Sequence, residues 1–389
     1  MTGYRFHAGP PPGHWFNDPN GLVRSGDKWR LFVQHAADPP EFRQTGWARL
    51  SSDDLISWTF DGAVMPHAEH VSRYSGSVQS HGSMLSAWLT HHDHRVGAAP
   101  RQFQQGATST DDGATWREQS GAALPSGMNV RDPFVWGTAG RRQALVAHPT
   151  DWNDTDGTSF LTLHRERDGR FAESGRIGPW SPEGVLWEVP LLLDFGDLQV
   201  LVLSLVDRRD NATHSCVRYW TGQLSHSGFT PLVTMPHDGL PLDLGPDFYA
   251  AIPAASGRML VGWASNWADA RSRQVFSGGH GGAITMPRAF ALVDDLVVQG
   301  PLASFRRFAV VQDQVDTARL HLRWQGGEAR IAIGSDRVMM SRNGIVTAHP
   351  RQAGSRDLWV FHDHDIVEVF AAGVPATFAV AGKLSIERR

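Results

Sequence analysis

Three short acidic segments carry the residues with which this chain could do chemistry: HWFNDPNG (His14 to Gly21), RDPFVW (Arg131 to Trp136) and WEVPLL (Trp187 to Leu192). Each has an ordinary reading of its own. Asn17-Asp18-Pro19-Asn20-Gly21 consists of turn formers and reads as a surface turn. Arg131-Asp132 reads as the salt-bridged start of an apolar strand, and Glu188 could face solvent from an edge strand. Taken together, the three are more specific. Cleavage of a glycosidic bond needs two carboxyl groups flanking it, one to protonate the leaving oxygen and one to attack or to activate water. A third can hold sugar hydroxyls near the cationic transition state. Glu188 sits among apolar and aromatic residues, where desolvation raises a carboxyl pKa as a general acid requires.

The elements that must position these groups read as strands. WRLFVQHA, QALVAHP, SFLTLHRE, LQVLVLSLVD, RMLVGWASN, ARIAIGS and DIVEVFAAG are short, rich in β-branched or aromatic residues, and bounded by turn formers. No window keeps a helical period, and 40 Gly and 23 Pro punctuate the chain, so the expected fold is all-β. SSDDLISW (Ser51 to Trp58) and STDDGATW (Ser109 to Trp116) share the pattern Ser-x-Asp-x-x-x-x-Trp, with 58 residues between them. A motif at that spacing suits a β-propeller with one copy per four-stranded blade. The expectation is a five-bladed β-propeller over residues 1–298, in which successive blades each bring one carboxylate to an axial funnel. A small β-sandwich is expected over 299–389, where the Trp-bearing turns become few.

Composition narrows the function classes. With 389 residues, 41% hydrophobic and 20% charged, the chain describes a globular protein, and a net charge of -4 offers nothing to nucleic acid or an anionic membrane. Its longest apolar runs, such as Leu198 to Val206, fall far short of the ~20 residues of a membrane span. The N-terminus lacks the basic start and apolar stretch of a secretory leader, which gives a cytoplasmic expectation. The single cysteine, Cys216, cannot form an internal disulfide and reads as a small strand residue. HHDH (His91 to His94) and HDHD (His362 to Asp365) lack the spacing of a zinc site and read as solvated loop residues. No metal and no cofactor are expected. The expected partner is a small-molecule sugar, with a homo-oligomer left open.

The three acidic motifs resemble those of glycoside hydrolase family 32, the invertase, inulinase and levanase group. HWFNDPNG is similar to the sucrose-box motif that carries the nucleophile, matching Asp18. RDP is similar to the motif whose aspartate stabilises the transition state, matching Asp132, with Arg131 beside it. WEVP is similar to the acid/base motif, matching Glu188. Further segments agree: Gln34 in LFVQHA, Trp47 in TGWARL, Tyr74-Ser75-Gly76-Ser77, GPDFYAA (Gly245 to Ala251), VGWASNW (Val261 to Trp267), MPR (Met286 to Arg288) and HDIVEVFAAG (His364 to Gly373). The resemblance implies a five-bladed propeller with a C-terminal sandwich. It implies a fructose pocket built from Asn17, Gln34, Trp47, Tyr74, Ser75, Arg131, Asp247 and Trp267, with Trp267 stacking on the sugar or packing in the core. The chain departs from the family pattern at Val189, where Cys is usual, at Tyr74, where Phe is usual, at Phe16, where Met is usual, and in a shortened sandwich.

The implied activity is a retaining β-fructofuranosidase acting on sucrose or short fructo-oligosaccharides, without a cofactor. Asp18 would attack the anomeric carbon while Glu188 acts first as acid and then as base. A fructosyltransferase on the same site, an inverting pentofuranosidase of similar propeller shape, and a non-catalytic fructan-binding module are the alternatives. A sialidase would need an arginine cluster and a tyrosine nucleophile, and the chain has four tyrosines. Which fructoside is cleaved, and whether it is phosphorylated, stays open at this level.

Overall fold

The computed structural model describes residues 3–37, 45–95, 101–151, 154, 156–180, 183–207, 214–254, 257–267 and 282–389; side chains 120–123 lie outside that description. Five antiparallel sheets follow one another along the chain. The first contains β1 (Trp15–Ser25), β2 (Lys28–Ala36), β3 (Gly46–Ser52) and β4 (Thr59–Met65). The second contains β5 (Val71–His81), β6 (Met84–Asp93), β7 (Arg101–Ser109) and β8 (Arg117–Gly127). The third contains β9 (Arg131–Trp136), β10 (Gln143–His148), β11 (Phe160–Arg167) and β12 (Arg170–Ile177). The fourth contains β13 (Val185–Asp194), β14 (Gln199–Asp207), β15 (His214–Leu224) and β16 (Phe229–Pro231), with β17 (Leu240–Pro241) also pairing β15. The fifth contains β18 (Tyr249–Pro253), β19 (Met259–Trp263), β20 (Arg288–Val293) and β21 (Leu296–Pro301).

The first strands of these sheets touch in sequence, β1 to β5, β5 to β9, β9 to β13 and β13 to β18, and β18 returns to β1. That arrangement is a five-bladed propeller. Its core lies as slices between blades: Phe32, Val78 and Leu89 between the first two, Trp88 and Val146 between the second and third, Leu163, Trp187 and Trp220 between the third and fourth. A strand inside such a stack is covered on both faces. This is why Val200 to Val206 is buried without a break instead of alternating, with Ser204 its one polar residue. Cys216 lies in β15, where burial pushes its thiol up, in keeping with a strand residue.

The two Trp-bearing motifs close the outer hairpins β3–β4 and β7–β8. In the second, Asp111 accepts from the Thr115 amide and Trp116 Nε1 donates to the Gly113 carbonyl. In the first, the working pair is Ser52 and Asp54, not Ser51 and Asp53: Asp54 accepts from the amides of Ile56 and Ser57, and Trp58 Nε1 donates to the Leu55 carbonyl. The repeat is real in structure but one residue tighter in the first blade.

After a 3-10 helix at Ala303–Phe308 come two further sheets, a four-stranded one and a five-stranded one. Leu320, Ile331 and Val338 of the larger sheet share a core with Val360, Val367 and Phe378 of the smaller. This is the C-terminal sandwich. It meets the propeller through a buried charged cluster. Arg288 donates to Glu368 and Asp243 at 2.8 and 2.6 Å, and its side chain is fully buried. His7 bridges Asp363 and Glu368 at 2.9 and 2.8 Å. Asp363 also accepts from the amides of Arg5, Phe6 and His7. The HDHD segment therefore differs from the solvated loop expected of it: Asp363 is 1% exposed and receives the N-terminal segment.

Burial alone would lower the His7 pKa, but its hydrogen bonds and charge contacts with Asp363 and Glu368 override this and hold it at about 9. A base whose folded pKa exceeds its unfolded value of 6.5 adds stability that is complete below pH 6.5 and disappears as pH rises through 9. Denaturant unfolding should thus lose roughly 1–3 kcal/mol across that window. The same loss should be absent from His7→Asn, and an equal slope in both proteins would refute the assignment.

Candidate active site

Each innermost strand carries a bulge in which three residue steps oppose two on its neighbour. The bulges fall between Phe16 and Pro19, Arg73 and Gly76, Arg131 and Phe134, Glu188 and Leu191, and Tyr249 and Ile252. A bulge frees backbone groups from the ladder and re-aims side chains. In the second to fifth blades an amide of the bulge is taken up by the preceding blade. The Gly76 amide donates to Asn20, the Asp132 amide to Thr90, the Val189 amide to Asp132 Oδ2, and the Ala250 amide to Ser204. Asp132, Val189 and Ala250 hold φ of 61°, 43° and 50°, a left-handed geometry costly for a non-glycine residue and typical of functional sites. At Gly76 a Cβ would stand 2.0 Å from the Trp88 carbonyl oxygen, so only glycine lets the second bulge close on its neighbour.

These bulges surround a cavity of about 400 Å³. The first blade contributes Asp18 and Gln34, the second Tyr74, Ser75, His92 and Gln102, the third Arg131 and Asp132, and the fourth Glu188. Trp267, which follows β19, completes the lining and packs against Trp15 and Trp263. The three carboxylates thus come from the first, third and fourth blades. The expectation of successive blades is corrected, because the second supplies neutral polar groups instead.

The floor is buried and the rim is half-exposed. Asp18 is 6% exposed and Asp132 4%, whereas Glu188, Arg131, Tyr74 and His92 are intermediate. Asp18 Oδ2 accepts from Ser75 at 2.5 Å, and Oδ1 accepts from Asn17 at 3.2 Å. Asn17 in turn donates to Gln34. Burial, together with the charges of Asp132 and Glu188, pushes the Asp18 carboxyl up to about 8 despite the hydrogen bonds from Ser75 and Asn17 that oppose the rise. Asp132 is raised for the same reason, burial first, with Arg131 opposing it.

Glu188 is not the isolated carboxyl expected from its apolar sequence neighbours. Arg131 donates to its Oε1 from Nη2 at 2.8 Å and Nε at 3.1 Å, and Tyr249 donates to its Oε2 at 2.6 Å. Burial keeps the Tyr249 phenol well above its ordinary pKa, so it serves as a neutral hydrogen-bond partner. The arrangement can present one carboxylate to a reacting carbon, a second to hydroxyls, and a third to a leaving oxygen.

Three expected pocket residues sit elsewhere or behind. Trp47 is fully buried and supports the second bulge from outside, donating from Nε1 to the Tyr74 carbonyl at 3.0 Å. Asn17 lies beside the cavity, through its bonds to Asp18 and Gln34. Asp247 turns away to the sandwich, accepting from Asn266, Arg342 and the Ala379 amide. It precedes β18, and the residue of its segment that reaches the site is Tyr249. His92, Gln102 and Tyr249 were not among the candidates. His91, His92 and Asp93 of HHDH belong to β6, not to a solvated loop, with His91 buried and His92 in the cavity wall. The spacing between bulges could have found Tyr249, with 57 residues from Asp18 to Ser75, 57 from Arg131 to Glu188, and 61 from Glu188 to Tyr249, but it carries no signal for His92 and Gln102.

The model of the Glycosyl hydrolases family 32 N-terminal domain matches residues 7–301. The chain belongs to glycosyl hydrolase family 32. Among curated relatives it is 27% identical over 318 residues to a protein named sucrose-6-phosphate hydrolase from Zymomonas mobilis, a match covering 76% of this chain and 61% of that one. It is 29% identical over 331 residues to an invertase from Schizosaccharomyces pombe, covering 77% of this chain and 54% of that one. The chain thus spans about 54–61% of the length of these two relatives. Among solved structures, a mutant family 32 β-fructofuranosidase from Bombyx mori in complex with sucrose superposes with a TM-score of 0.79 at 20% identity, covering 100% of this chain and 93% of that one. An exo-inulinase from Aspergillus awamori gives 0.74 at 18% identity, covering 98% and 94%. These likenesses establish the fold of this family 32 protein. Among its described residues no helix is long and apolar enough to cross a membrane.

An acid whose folded pKa lies above its unfolded value destabilises the fold once ionised. For Asp18 the cost is absent below pH 3.8, grows as pH rises, and levels off above about 8. Asp18→Asn should therefore raise unfolding stability at pH 7–8 by roughly 1–3 kcal/mol, with no gain below pH 4. Chemical denaturation at both pH values checks this, and a destabilised variant at pH 8 would contradict the electrostatic account.

Proposed function

We propose that this protein is a retaining β-fructofuranosidase that releases terminal β-linked fructose from sucrose or short fructo-oligosaccharides. The five sheets that end with β21 at Pro301, three residues past the expected boundary at 298, form its catalytic unit, and the two sheets that follow form the sandwich that braces it. The observation that carries the reading is the convergence of Asp18, Asp132 and Glu188 on one cavity, with Glu188 gripped by Arg131 and Tyr249. The names of the family relatives, a sucrose-6-phosphate hydrolase and an invertase, support the substrate class.

The fructose ring occupies the floor. Asp18 attacks its anomeric carbon, and Asp132 holds ring hydroxyls with Arg131 beside it. Glu188 gives its proton to the departing oxygen, then takes one from the incoming water, and the configuration is retained. The crowding of carboxylates that disfavours ionised Asp18 in the empty site is relieved as positive charge builds on the sugar. That interaction is stronger in the transition state than in the ground state, which is the condition for raising the rate.

Incubation with sucrose, a β-2,1 fructobiose and a β-2,6 fructobiose should release fructose from at least one, first as the β-anomer by NMR. Asp18→Asn and Glu188→Gln should each reduce kcat by at least a hundredfold. Inverted product, or no fructose from all three, would reject the reading. Ser75→Ala removes a hydrogen bond that lowers the Asp18 pKa. It should therefore move the acid limb of kcat/KM to higher pH by roughly one unit, since activity needs ionised Asp18. A limb that moves to lower pH would exclude Asp18 as the group that must ionise.

A further inference from the structure

The second blade gives the cavity a wall that contains none of the three carboxylates, and the register of its strands gives that wall two levels. The inner level consists of Thr90 in β6 and Gln104 in β7, directly opposite each other. Thr90 accepts from the Asp132 amide, donates to the Ser75 carbonyl at 3.1 Å and contacts Gln104 at 2.8 Å, so this level belongs to the floor. Two residues further along both strands lie His92 and Gln102, again directly opposite each other. Two steps along a strand return to the same face roughly 7 Å away, about the length of one monosaccharide. Tyr74, immediately before the floor residue Ser75, joins this outer level: its hydroxyl pairs with His92 Nδ1 at 2.7 Å, and the two rings lie 4.9 Å apart.

The outer wall is polar and incompletely satisfied. Gln102 is 4% exposed and lines the cavity, yet its carbonyl oxygen has no hydrogen-bond partner among the described residues. With that oxygen unpartnered among the described residues, the amide can turn to offer a donor or an acceptor to a hydroxyl. The only arginine or lysine lining the cavity among the described residues is Arg131, already engaged by Glu188. Among the described residues a phosphate would find no uncommitted guanidinium or ammonium there.

We propose that Tyr74, His92 and Gln102 form the subsite for the leaving sugar and select an uncharged, hydroxyl-bearing aglycone over a phosphorylated one. This rests on the fructosidase reading and deepens it. When the terminal fructose fills the buried floor, the next ring lies at the level of the half-exposed Glu188, and this wall faces it. Tyr74 and His92 orient one another, and Gln102 supplies the adaptable amide. The three are specificity-determining residues; none touches the reacting bond.

The test compares sucrose with p-nitrophenyl β-fructofuranoside, whose leaving group carries no sugar hydroxyls. In the double variant His92→Ala/Gln102→Ala, the ratio of kcat/KM for sucrose to that for the aryl fructoside should fall ten- to hundredfold. In Tyr74→Phe, which removes one hydroxyl and preserves the ring, it should fall about three- to tenfold, as expected for single neutral hydrogen bonds. The wild-type protein should prefer sucrose to sucrose 6-phosphate. An unchanged ratio in Tyr74→Phe and the double variant, whether both activities fall together or neither does, would overturn the subsite. So would a preference for the phosphorylated sugar. Failure of the wild type to release fructose from either substrate would instead strike at the proposed function, so the two failures can be told apart. If the double variant does not fold, Tyr74→Phe and the wild-type preference still decide the matter.

Discussion

The site rests on a bulge repeated five times at one level of the propeller, with a backbone amide of four of the bulges bonded to the blade before it. Take away the acceptor, and the bulge leaves a buried N–H without a partner, which costs about as much as a lost hydrogen bond and more where water cannot enter. Asn20, Thr90, Asp132 and Ser204 are those acceptors, at four of the five junctions. The floor of the pocket is therefore also the set of bolts between blades. Asp132 serves twice, with one oxygen spent on the Val189 amide and the remaining carboxylate edge facing the cavity.

This explains why the electrostatics look unfavourable in the empty protein. Three carboxylates crowd a site with a single arginine among the described residues, and burial raises two of them. Positive-φ residues at Asp132, Val189 and Ala250 add backbone strain at the same level. None of this would persist in isolation. It persists because the blades around it are packed on both faces and the sandwich fixes one side, so the structure over-determines a geometry that the site itself does not favour.

Much of the arrangement could be read from the chain, for reasons that differ by residue. Asp18, Asp132 and Glu188 sit in motifs specific enough to name, and the all-β fold followed from short β-branched runs between turn formers. The wall residues were not legible. His92 and Gln102 face the cavity because β6 and β7 pair in one register and not another, and a one-residue slip would turn both away. His92 also lay in a histidine-rich stretch that mimics a solvated loop. Asp247 misled because its segment does reach the site, but through Tyr249, after the chain enters β18. Asn17-Asp18-Pro19-Asn20-Gly21 has the composition of a turn and is instead an internal strand, since a bulged strand and a tight turn ask for the same residues.

The buried cluster between propeller and sandwich has a consequence for how such a protein can change over generations. His7, Asp243, Arg288, Asp363 and Glu368 come from the beginning, middle and end of the chain, yet two cations face three carboxylates and all five side chains are buried. Replacing any one alone strands a charge in a low-dielectric interior. An apolar version of the same interface could be equally stable, but every single-step path to it passes through a badly folded intermediate. The five positions are thus expected to be inherited as one unit. A descendant that loses its sandwich would have to replace the whole set at once, including the histidine near its first residues.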